Sequence, residues 1–362
     1  VKEQKTENDY DLKIGKTTLH LTNQNKIYFP KDGITKGDII QYYNEVAPLI
    51  LPYLKDRPES MNRFPNGIDS PSFYQKDIDS LLTEFDNSLS TYKPSSSISK
   101  INNGDTTVVV NDWFVDTYKA SQKIYEETNG LFDPTIGVLV NAYGFGPNHQ
   151  HKNLSQKQID SLLQYVGFSK VRINENKTIH KDFAQTYFDF NAIAQGYSVD
   201  VVVNFLKSKG IQNGIVEIGG ELFALGKNTI QNKNWVIGID DPLQSPDEER
   251  KLIASIKLEN LGMATSGNYR KVIIDSITGE KFVHTINPIT GKPQKGSVLS
   301  TTVLASTCVM ADGYATAFMV MNLEEGKAFL KEHPELYVMI MYVDENNELQ
   351  QLQTENFKRL IN

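Results

Sequence analysis

The sequence predicts an α+β fold in which mixed, largely antiparallel sheets carry flanking helices. Helical and strand patterns follow each other in irregular order, whereas a parallel sheet requires a regular alternation of the two. Strand patterns rich in β-branched and aromatic residues come in close succession beyond residue 215. With 362 residues, 39% of them hydrophobic, the chain is long enough to bury a core in one large domain or in two smaller ones.

The first part of the chain differs in composition from the rest. Residues 1–16 are polar and predict a disordered lead, after which short strands are predicted at 17–21 and 27–29. Residues 56–74 are rich in Pro, Gly, Asn and Ser, which is typical of a loop or linker. We therefore predict a domain boundary near residue 76, with one region at 17–76 and a second at 77–362.

Helices are predicted from apolar spacing and from capping residues. Thr35 caps a helix that Pro48 and Pro52 kink or end, and a capping box at Ser155 opens another that Gly167 closes. Further helices are predicted at 78–89, 112–128, 193–209 and 308–321. Strands are predicted at 215–225, 235–239, 252–256, 301–305 and 336–343.

Composition excludes several functional classes. The formal charge of −7 argues against a protein that binds the phosphate backbone of nucleic acids, because such proteins cluster Lys and Arg. Cys308 is the only cysteine, so disulfides and cysteine-rich metal sites are excluded. No apolar run approaches the roughly 18 residues of a membrane span, and residues 1–10 lack the pattern of a signal peptide.

The segment from Tyr187 to Tyr197 is the densest in polar groups near a predicted helix start. An apolar strand is predicted to reach Asp189, and the free N–H groups of a helix start suit a phosphate. Taken alone, the segment is more simply explained by Asp189 or Asn191 acting as a helix cap.

A second segment places Asp312 and Thr316 four residues apart, on one face of a predicted helix. A carboxylate and a hydroxyl so placed form half of an oxygen-only site, which suits Mg²⁺ completed by a carbonyl, waters and substrate phosphates. The alternative is an Asp cap beside a Thr that bonds within its own helix.

Two further segments bear on the site. His284 lies in a turn-rich loop and has the chemistry of an acid, a base or a phosphate contact near neutral pH, although a loop histidine is commonly an ordinary surface residue. The pair Gly219 and Gly220 lets a strand approach a ligand closely or forms a bulge.

Taken together, these segments resemble the ApbE family of FAD:protein FMN transferases from about residue 77 to the end of the chain. The motifs that carry the resemblance are LSTY (89–92) with SKIN (99–102), FDPTIG (132–137) with GFGP (144–147), the Asp189 segment, TSGNYR (265–270) with HTINP (284–288), and the Asp312 helix.

The resemblance implies which residues form the site. The FAD site is lined by Tyr92, the backbone of Leu131, Phe132 and Asp133, and by Asp189, Gln195 and Ile286. Mg²⁺ is held by the carbonyl of Ala192 with the side chains of Asp312 and Thr316. Relatives often carry Lys or Glu at the place of Gln195.

The resemblance also implies the reaction, its partners and its location. A Thr or Ser hydroxyl of an acceptor protein attacks the FMN-side phosphorus of FAD and AMP leaves, while His284 or Asp189 assists proton transfer. The acceptor is expected to be a subunit of a membrane redox complex. The family is extracytoplasmic, periplasmic in many members, and often a membrane-anchored lipoprotein, so we expect that location here.

The start of the chain departs from the family pattern. The Met-Gly-Thr motif, which opens family members and packs on the flavin, is not found, and residues 9–76 resemble instead the opening of the polymerase domain of bacterial DNA ligase D. This fragment lacks the later metal-binding acidic residues, and we expect a transferase core that lacks an edge strand and a flavin contact. Two alternatives stay open: an FAD-binding or FAD-hydrolysing protein without an acceptor, and a DNA end-joining fragment.

Overall fold

The computed structural model describes residues 10–14, 17–54, 76–146, 153–229, 231–241, 251–267, 272–274, 281–283, 285–294, 297–346 and 348–362. The chain divides into two compact units, Val1–Leu81 and Leu82–Asn362.

The first unit contains two small hairpins and one long helix. The hairpins pair β1 (Tyr10–Ile14) with β2 (Thr17–Leu21) and β3 (Ile27–Phe29) with β4 (Ile34–Thr35). Strands β2 and β3 confirm the prediction, whereas β1 lies inside the stretch predicted as a disordered lead. The pairing of β1 with β2 along all five residues corrects that prediction for residues 10–14.

Helix α1 (Lys36–Leu54) begins where the sequence predicts, because Thr35 Oγ1 accepts from the N–H of Asp38 while Asp38 Oδ2 accepts from the N–H of Thr35. The helix continues through Pro48 and ends two residues after Pro52. Among the side chains described up to residue 50, Gln24 is the only buried one, so this part of the unit has no buried apolar core.

Helix α2 (Lys76–Leu89) contains the boundary between the units. The helices that follow are α3 (Ser97–Asn102), α4 (Asp112–Glu127), α5 (Gly137–Ala142), α6 (Gln156–Leu163), α7 (Ala194–Ser208), α8 (Cys308–Val320), α9 (Leu323–Glu332) and α10 (Glu355–Lys358). The strands are β5 (Val171–Ile173), β6 (Ile179–Lys181), β7 (Gly214–Ile218), β8 (Glu221–Leu225), β9 (Trp235–Asp240), β10 (Leu252–Leu258), β11 (Leu261–Gly267), β12 (Val272–Ile274), β13 (Lys281–Val283), β14 (Val298–Ala305), β15 (Tyr337–Val343) and β16 (Leu349–Gln353).

The central element of the second unit is an antiparallel sheet. Within the described residues its strand order is β16-β15-β14-β11-β8-β7. Helices α7 and α8 pack on one face, where Val199 and Val203 of α7 meet Phe223 of β8. The β9–β10 hairpin covers the other face, where Ile239 and Ile256 join one apolar cluster with the opposite side chains of the sheet. Because both faces are covered, side chains on both sides of β8 are buried.

This architecture confirms the predicted α+β class with antiparallel sheets and flanking helices. The predicted strand at 215–225 is two strands, because Gly219 and Gly220 form the turn of the β7–β8 hairpin with φ of +66° and +114°. A two-residue hairpin turn of this kind requires positive φ at its central residues, which glycine adopts without strain.

Helices α4, α7 and α8 match the predicted bounds to within one residue at each end. In the part of the chain that the structure describes, every helix is too short or too polar to cross a lipid bilayer.

Candidate active site

The N-terminal ends of helices α7 and α8 meet, and each is capped by an aspartate of the other helix. Asp312 of α8 accepts a hydrogen bond at Oδ2 from the N–H of Gly196 in α7, at 2.9 Å. Asp200 of α7 accepts from the N–H of Cys308 at Oδ1 (2.9 Å) and from the N–H of Val309 at Oδ2 (2.8 Å). Both aspartates are buried. The exchange satisfies N–H groups that every helix leaves free at its start.

Gly196 is the residue that permits this close approach. A Cβ atom there would lie 2.7 Å from Asp312 Cβ and 2.9 Å from the carbonyl carbon of Cys308, and closer still to that carbonyl oxygen. Ordinary contacts between carbon atoms are about 3.5–4.0 Å. Any side chain at this position would therefore push α7 and α8 apart.

The cap lies in the first turn of α7. Gly196 is the third residue of that helix, so its N–H has no acceptor within the helix and donates to Asp312 instead. No backbone N–H of the described residues donates to the Ala192 carbonyl. This oxygen is thus available to a ligand at the entrance to α7.

Thr316 lies four residues after Asp312 on α8, so the two side chains share a face as predicted. Thr316 is half-buried, and its Oγ1 lies 3.4 Å from Ser266 Oγ on β11. A carboxylate, a hydroxyl and a main-chain carbonyl are the hard oxygen donors that Mg²⁺ accepts, so these three residues fit that ion. Among the described residues, no three His, Cys, Asp or Glu side chains form a cluster suited to a metal. The predicted donor set contains only one such side chain, that of Asp312, beside a hydroxyl and a main-chain carbonyl.

A second carboxylate lies next to Asp312. Burial raises the pKa of Asp312 well above its ordinary value, and the nearby charge of Glu221, at the start of β8, raises it further. The Nε2 of Gln195 donates to Glu221 and to the carbonyl oxygen of Ile218, at 3.2 Å from the latter. The position predicted to contact FAD therefore contacts the hairpin turn. A bound cation would stabilise the charged forms of Asp312 and Glu221.

Tyr92 and Asp189 lie close together at a second part of the site. Burial raises the pKa of the Tyr92 hydroxyl, and the charge of Asp189 contributes to the rise. The Tyr92 side chain is nonetheless 57% exposed, so its ring is open to a ligand. Burial also raises the pKa of Asp189, against the opposing effect of the Asn191 N–H, which donates to Asp189 Oδ1 at 2.9 Å.

Asp189 caps the turn that leads into α7, rather than α7 itself, whose N-cap is Ile193. The segment before Asp189 is also not the predicted strand: Tyr187 makes one isolated bridge, to Ile136, and Phe188 and Phe190 are buried in an aromatic cluster with Phe114. Burial of these rings fixes the segment without a sheet.

The segment Leu131–Asp133 is held in place by bonds inside the protein. The N–H of Leu131 donates to the carbonyl of Thr128, and the N–H of Phe132 donates to Thr128 Oγ1. The buried carboxylate of Asp133 accepts from Thr135 at 2.6 and 2.8 Å and from the N–H of Phe168 at 3.2 Å. Burial raises the pKa of Asp133 to about 6 despite these bonds. The N–H of Asp189 donates to the Pro134 carbonyl at 2.7 Å, which joins this segment to Asp189.

Ile286, predicted to line the FAD site, is a core residue in this structure. Its side chain is buried in an apolar cluster with Leu139, Tyr143 and Val166. The loop that follows is a turn in which Asn287 Oδ1 accepts from the N–H groups of Ile289 and Thr290. His284, the predicted acid or base, lies outside the described residues.

The sequence analysis gave no role in the site to three residues, although one of them, Asn102, ends the SKIN motif. Asn102 brackets Phe188, donating to its carbonyl and accepting from its N–H, both at 2.8 Å, and so positions the residue before Asp189. Asp200 accepts from the first two N–H groups of α8, and the charge of Glu221 acts on Asp312. The signal for Asp200 was present in the sequence, because Gly196 and Asp200 repeat the four-residue spacing of Cys308 and Asp312.

Comparison with known proteins identifies the class to which this fold and site belong. The family model described as the ApbE family matches residues 56–340, so the chain belongs to the ApbE family. The chain is 34% identical over 292 residues to an FAD:protein FMN transferase of Haemophilus influenzae, covering 79% of this chain and 82% of that protein.

Solved structures agree with this assignment. The flavin transferase ApbE from Vibrio cholerae superposes with a TM-score of 0.69 at 32% identity, covering 79% of this chain and 89% of that one. The ApbE protein from Thermotoga maritima gives a TM-score of 0.70 at 26% identity, covering 80% and 93%. The family match includes residues 56–76, which also fall in the stretch that resembles ligase D, and that second resemblance stays a prediction.

Proposed function

We propose that this chain is a Mg²⁺-dependent FAD:protein FMN transferase. One observation carries the proposal: the buried carboxylate of Asp312 caps the start of α7, where the carbonyl of Ala192 accepts no hydrogen bond from the described backbone. Oxygen donors of this kind suit a divalent cation, and a divalent cation neutralises the charge of a pyrophosphate. The names of the similar proteins support the same activity.

Each residue has a role in this proposal. Ala192, Asp312 and Thr316 would hold Mg²⁺, which when bound neutralises the pyrophosphate oxygens of FAD. The exposed ring of Tyr92 would stack on an aromatic part of FAD. The segment Leu131–Asp133, fixed to Asp189 through Pro134, would form a wall of the same site.

The reaction replaces the phosphoanhydride bond of FAD with a phosphoester bond to the acceptor. The hydroxyl oxygen of an acceptor Thr or Ser attacks the FMN-side phosphorus, and the bond from that phosphorus to the bridging oxygen breaks. AMP leaves with the bridging oxygen, and the hydroxyl proton passes to a base. Asp189 and His284 are the candidates, and the raised pKa of Asp189 suits a group that accepts a proton. Positioning and charge stabilisation are expected to supply most of the acceleration.

We also infer the setting of the enzyme from its family. The acceptor is a subunit of a membrane redox complex that presents a Thr or Ser, and the enzyme acts outside the cytoplasm, in a periplasmic space, as a membrane-anchored lipoprotein. Support for these inferences is the family resemblance alone.

The proposal is tested by incubating the protein with FAD, Mg²⁺ and a redox-complex subunit that carries its acceptor Thr, while AMP is measured by chromatography. The matched control acceptor has Ala in place of that Thr. We expect AMP release that requires Mg²⁺ and the Thr and that is lost in Asp312→Ala, but not in Asp160→Ala, which removes an exposed carboxylate on α6. AMP release that is equal with both acceptors would indicate FAD hydrolysis and contradict the transfer.

A further inference from the structure

In both α7 and α8, the residue whose N–H is capped and the aspartate that caps the other helix have the same spacing. Gly196 and Asp200 are four residues apart on α7, and Cys308 and Asp312 are four residues apart on α8. In each helix the donor and the acceptor therefore share one face, and the two faces point at each other. We call the pair Asp200 and Asp312, with the N–H groups they bind, the reciprocal cap.

The two halves of the reciprocal cap differ in what else they do. Asp312 is also a ligand in the proposed metal site, whereas both oxygens of Asp200 are already engaged by Cys308 and Val309 at 2.9 and 2.8 Å. Asp200 is buried and has no described role in FAD or metal contact. Its two bonds fix the first turn of α8, and Asp312 lies one turn further along the same helix.

From this geometry we infer that Asp200 is a positioning residue for the metal site. It sets the distance between α8 and the start of α7, and thereby the position of Asp312 relative to the Ala192 carbonyl. The inference rests on the proposed metal site. Groups that orient metal ligands without touching the metal typically change metal affinity about 10- to 100-fold when they are removed.

The substitution that tests the inference is Asp200→Asn. It preserves shape, but its amide NH₂ faces one of the two N–H groups and leaves that group unsatisfied. The matched control is Tyr314→Phe, also on α8, which removes a hydrogen bond from the Tyr314 hydroxyl to the carboxylate of Glu127 on α4. Both variants lose a hydrogen bond that joins α8 to another helix, but only the first changes the reciprocal cap.

The first readout is binding of Mn²⁺, a substitute for Mg²⁺, followed by electron paramagnetic resonance on the full chain without FAD. We expect about ten-fold weaker Mn²⁺ binding in Asp200→Asn and a change below about two-fold in Tyr314→Phe. If Asp200→Asn does not fold, as judged by circular dichroism, Asp200→Glu is measured in its place. This variant keeps both carboxylate oxygens but lengthens the side chain by one methylene, which displaces α8.

The second readout separates positioning from general destabilisation. In a positioning role, Asp200→Asn raises the Mg²⁺ concentration for half-maximal AMP release, and saturating Mg²⁺ restores most of the rate. A residue with only a structural role would lower the active fraction at every Mg²⁺ concentration, with the half-maximal concentration unchanged, and that result would overturn the inference. Wild-type protein that binds no Mn²⁺ would overturn the metal site and the inference together, whereas Mn²⁺ binding without FMN transfer would overturn the proposed reaction alone.

Discussion

Substitution of Gly196 by Ala tests the close approach of α7 and α8 that builds the site. The added Cβ would lie 2.7 Å from Asp312 Cβ and 2.9 Å from the carbonyl carbon of Cys308. To reach an ordinary contact of about 3.5 Å, the helices must separate by roughly 0.8 Å. The hydrogen bond from the Gly196 N–H to Asp312, now 2.9 Å, would then exceed the about 3.2 Å limit of good geometry.

The expected loss of stability follows from three contributions. Overpacking costs about 1–3 kcal/mol, and a buried N–H left without its acceptor costs about 1–3 kcal/mol more if the bond is lost entirely. The higher helix propensity of Ala offsets about 1 kcal/mol. We therefore expect a net destabilisation of about 1–5 kcal/mol, or a fall in Tm of roughly 2–10 °C for a unit of this size.

The assay is thermal unfolding by circular dichroism, together with the Mg²⁺ dependence of AMP release. Gly214→Ala is the control, because no atom lies within 4 Å of a Cβ at that position in β7. We expect its stability to change by less than about 0.5 kcal/mol. A Gly196→Ala protein that melts at or above the wild-type temperature, with an unchanged Mg²⁺ requirement, would refute the close approach.

Three further substitutions follow from the same contacts. Asp312→Asn should abolish Mg²⁺-dependent AMP release yet raise stability in EDTA by about 0.5–2 kcal/mol, because it removes a buried carboxylate next to Glu221 while keeping an acceptor for Gly196; a lower Tm in EDTA would contradict this. Asp133 has a folded pKa of about 6, above its unfolded value, so its contribution to stability is full at low pH and falls as pH rises from about 4 to 6. In urea titrations across that window, the free energy of unfolding of Asp133→Asn minus that of wild type should therefore rise by about 3 kcal/mol. A difference that stays constant with pH would show that the pKa of the Asp133 carboxyl is not raised. Tyr92→Ala should weaken FAD binding, measured by fluorescence, about 5- to 150-fold with Tm unchanged, while Tyr92→Phe keeps the ring and should bind like wild type; equal binding by all three proteins would exclude stacking.

The helices that carry the site were predictable because their limits are set by local chemistry. Apolar spacing and capping residues place α4, α7 and α8 to within one residue, and the capping box at Ser155 is present. The prediction of a strand before Asp189 was wrong, because buried aromatic rings give a strand-like pattern whether or not the backbone pairs. The split of 215–225 into a hairpin depends on the two glycines at its centre, whose turn chemistry competes with strand propensity.

The arrangement of two site residues was predictable where both lie on the same helix. Asp312 and Thr316 share a face because their spacing is four, and the structure bears this out. The partners of these residues lie more than a hundred positions away in the chain, as in the bonds from Gly196 to Asp312 and from Cys308 to Asp200. Spacing within one helix carries no information on which second helix will face it, so the reciprocal cap became visible only in three dimensions.

The central claim is that FMN moves from FAD to a hydroxyl of another protein, and identification of the product tests it most directly. The acceptor subunit is incubated with FAD and the full chain, with Mg²⁺ or with EDTA, and then digested for tandem mass spectrometry. We predict an FMN phosphoester on a Thr or Ser side chain, present with Mg²⁺, absent with EDTA and absent with the Asp312→Asn protein. Free FMN and AMP beside an unmodified acceptor that wild-type relatives do label, or an adduct that forms equally in EDTA, would contradict the account.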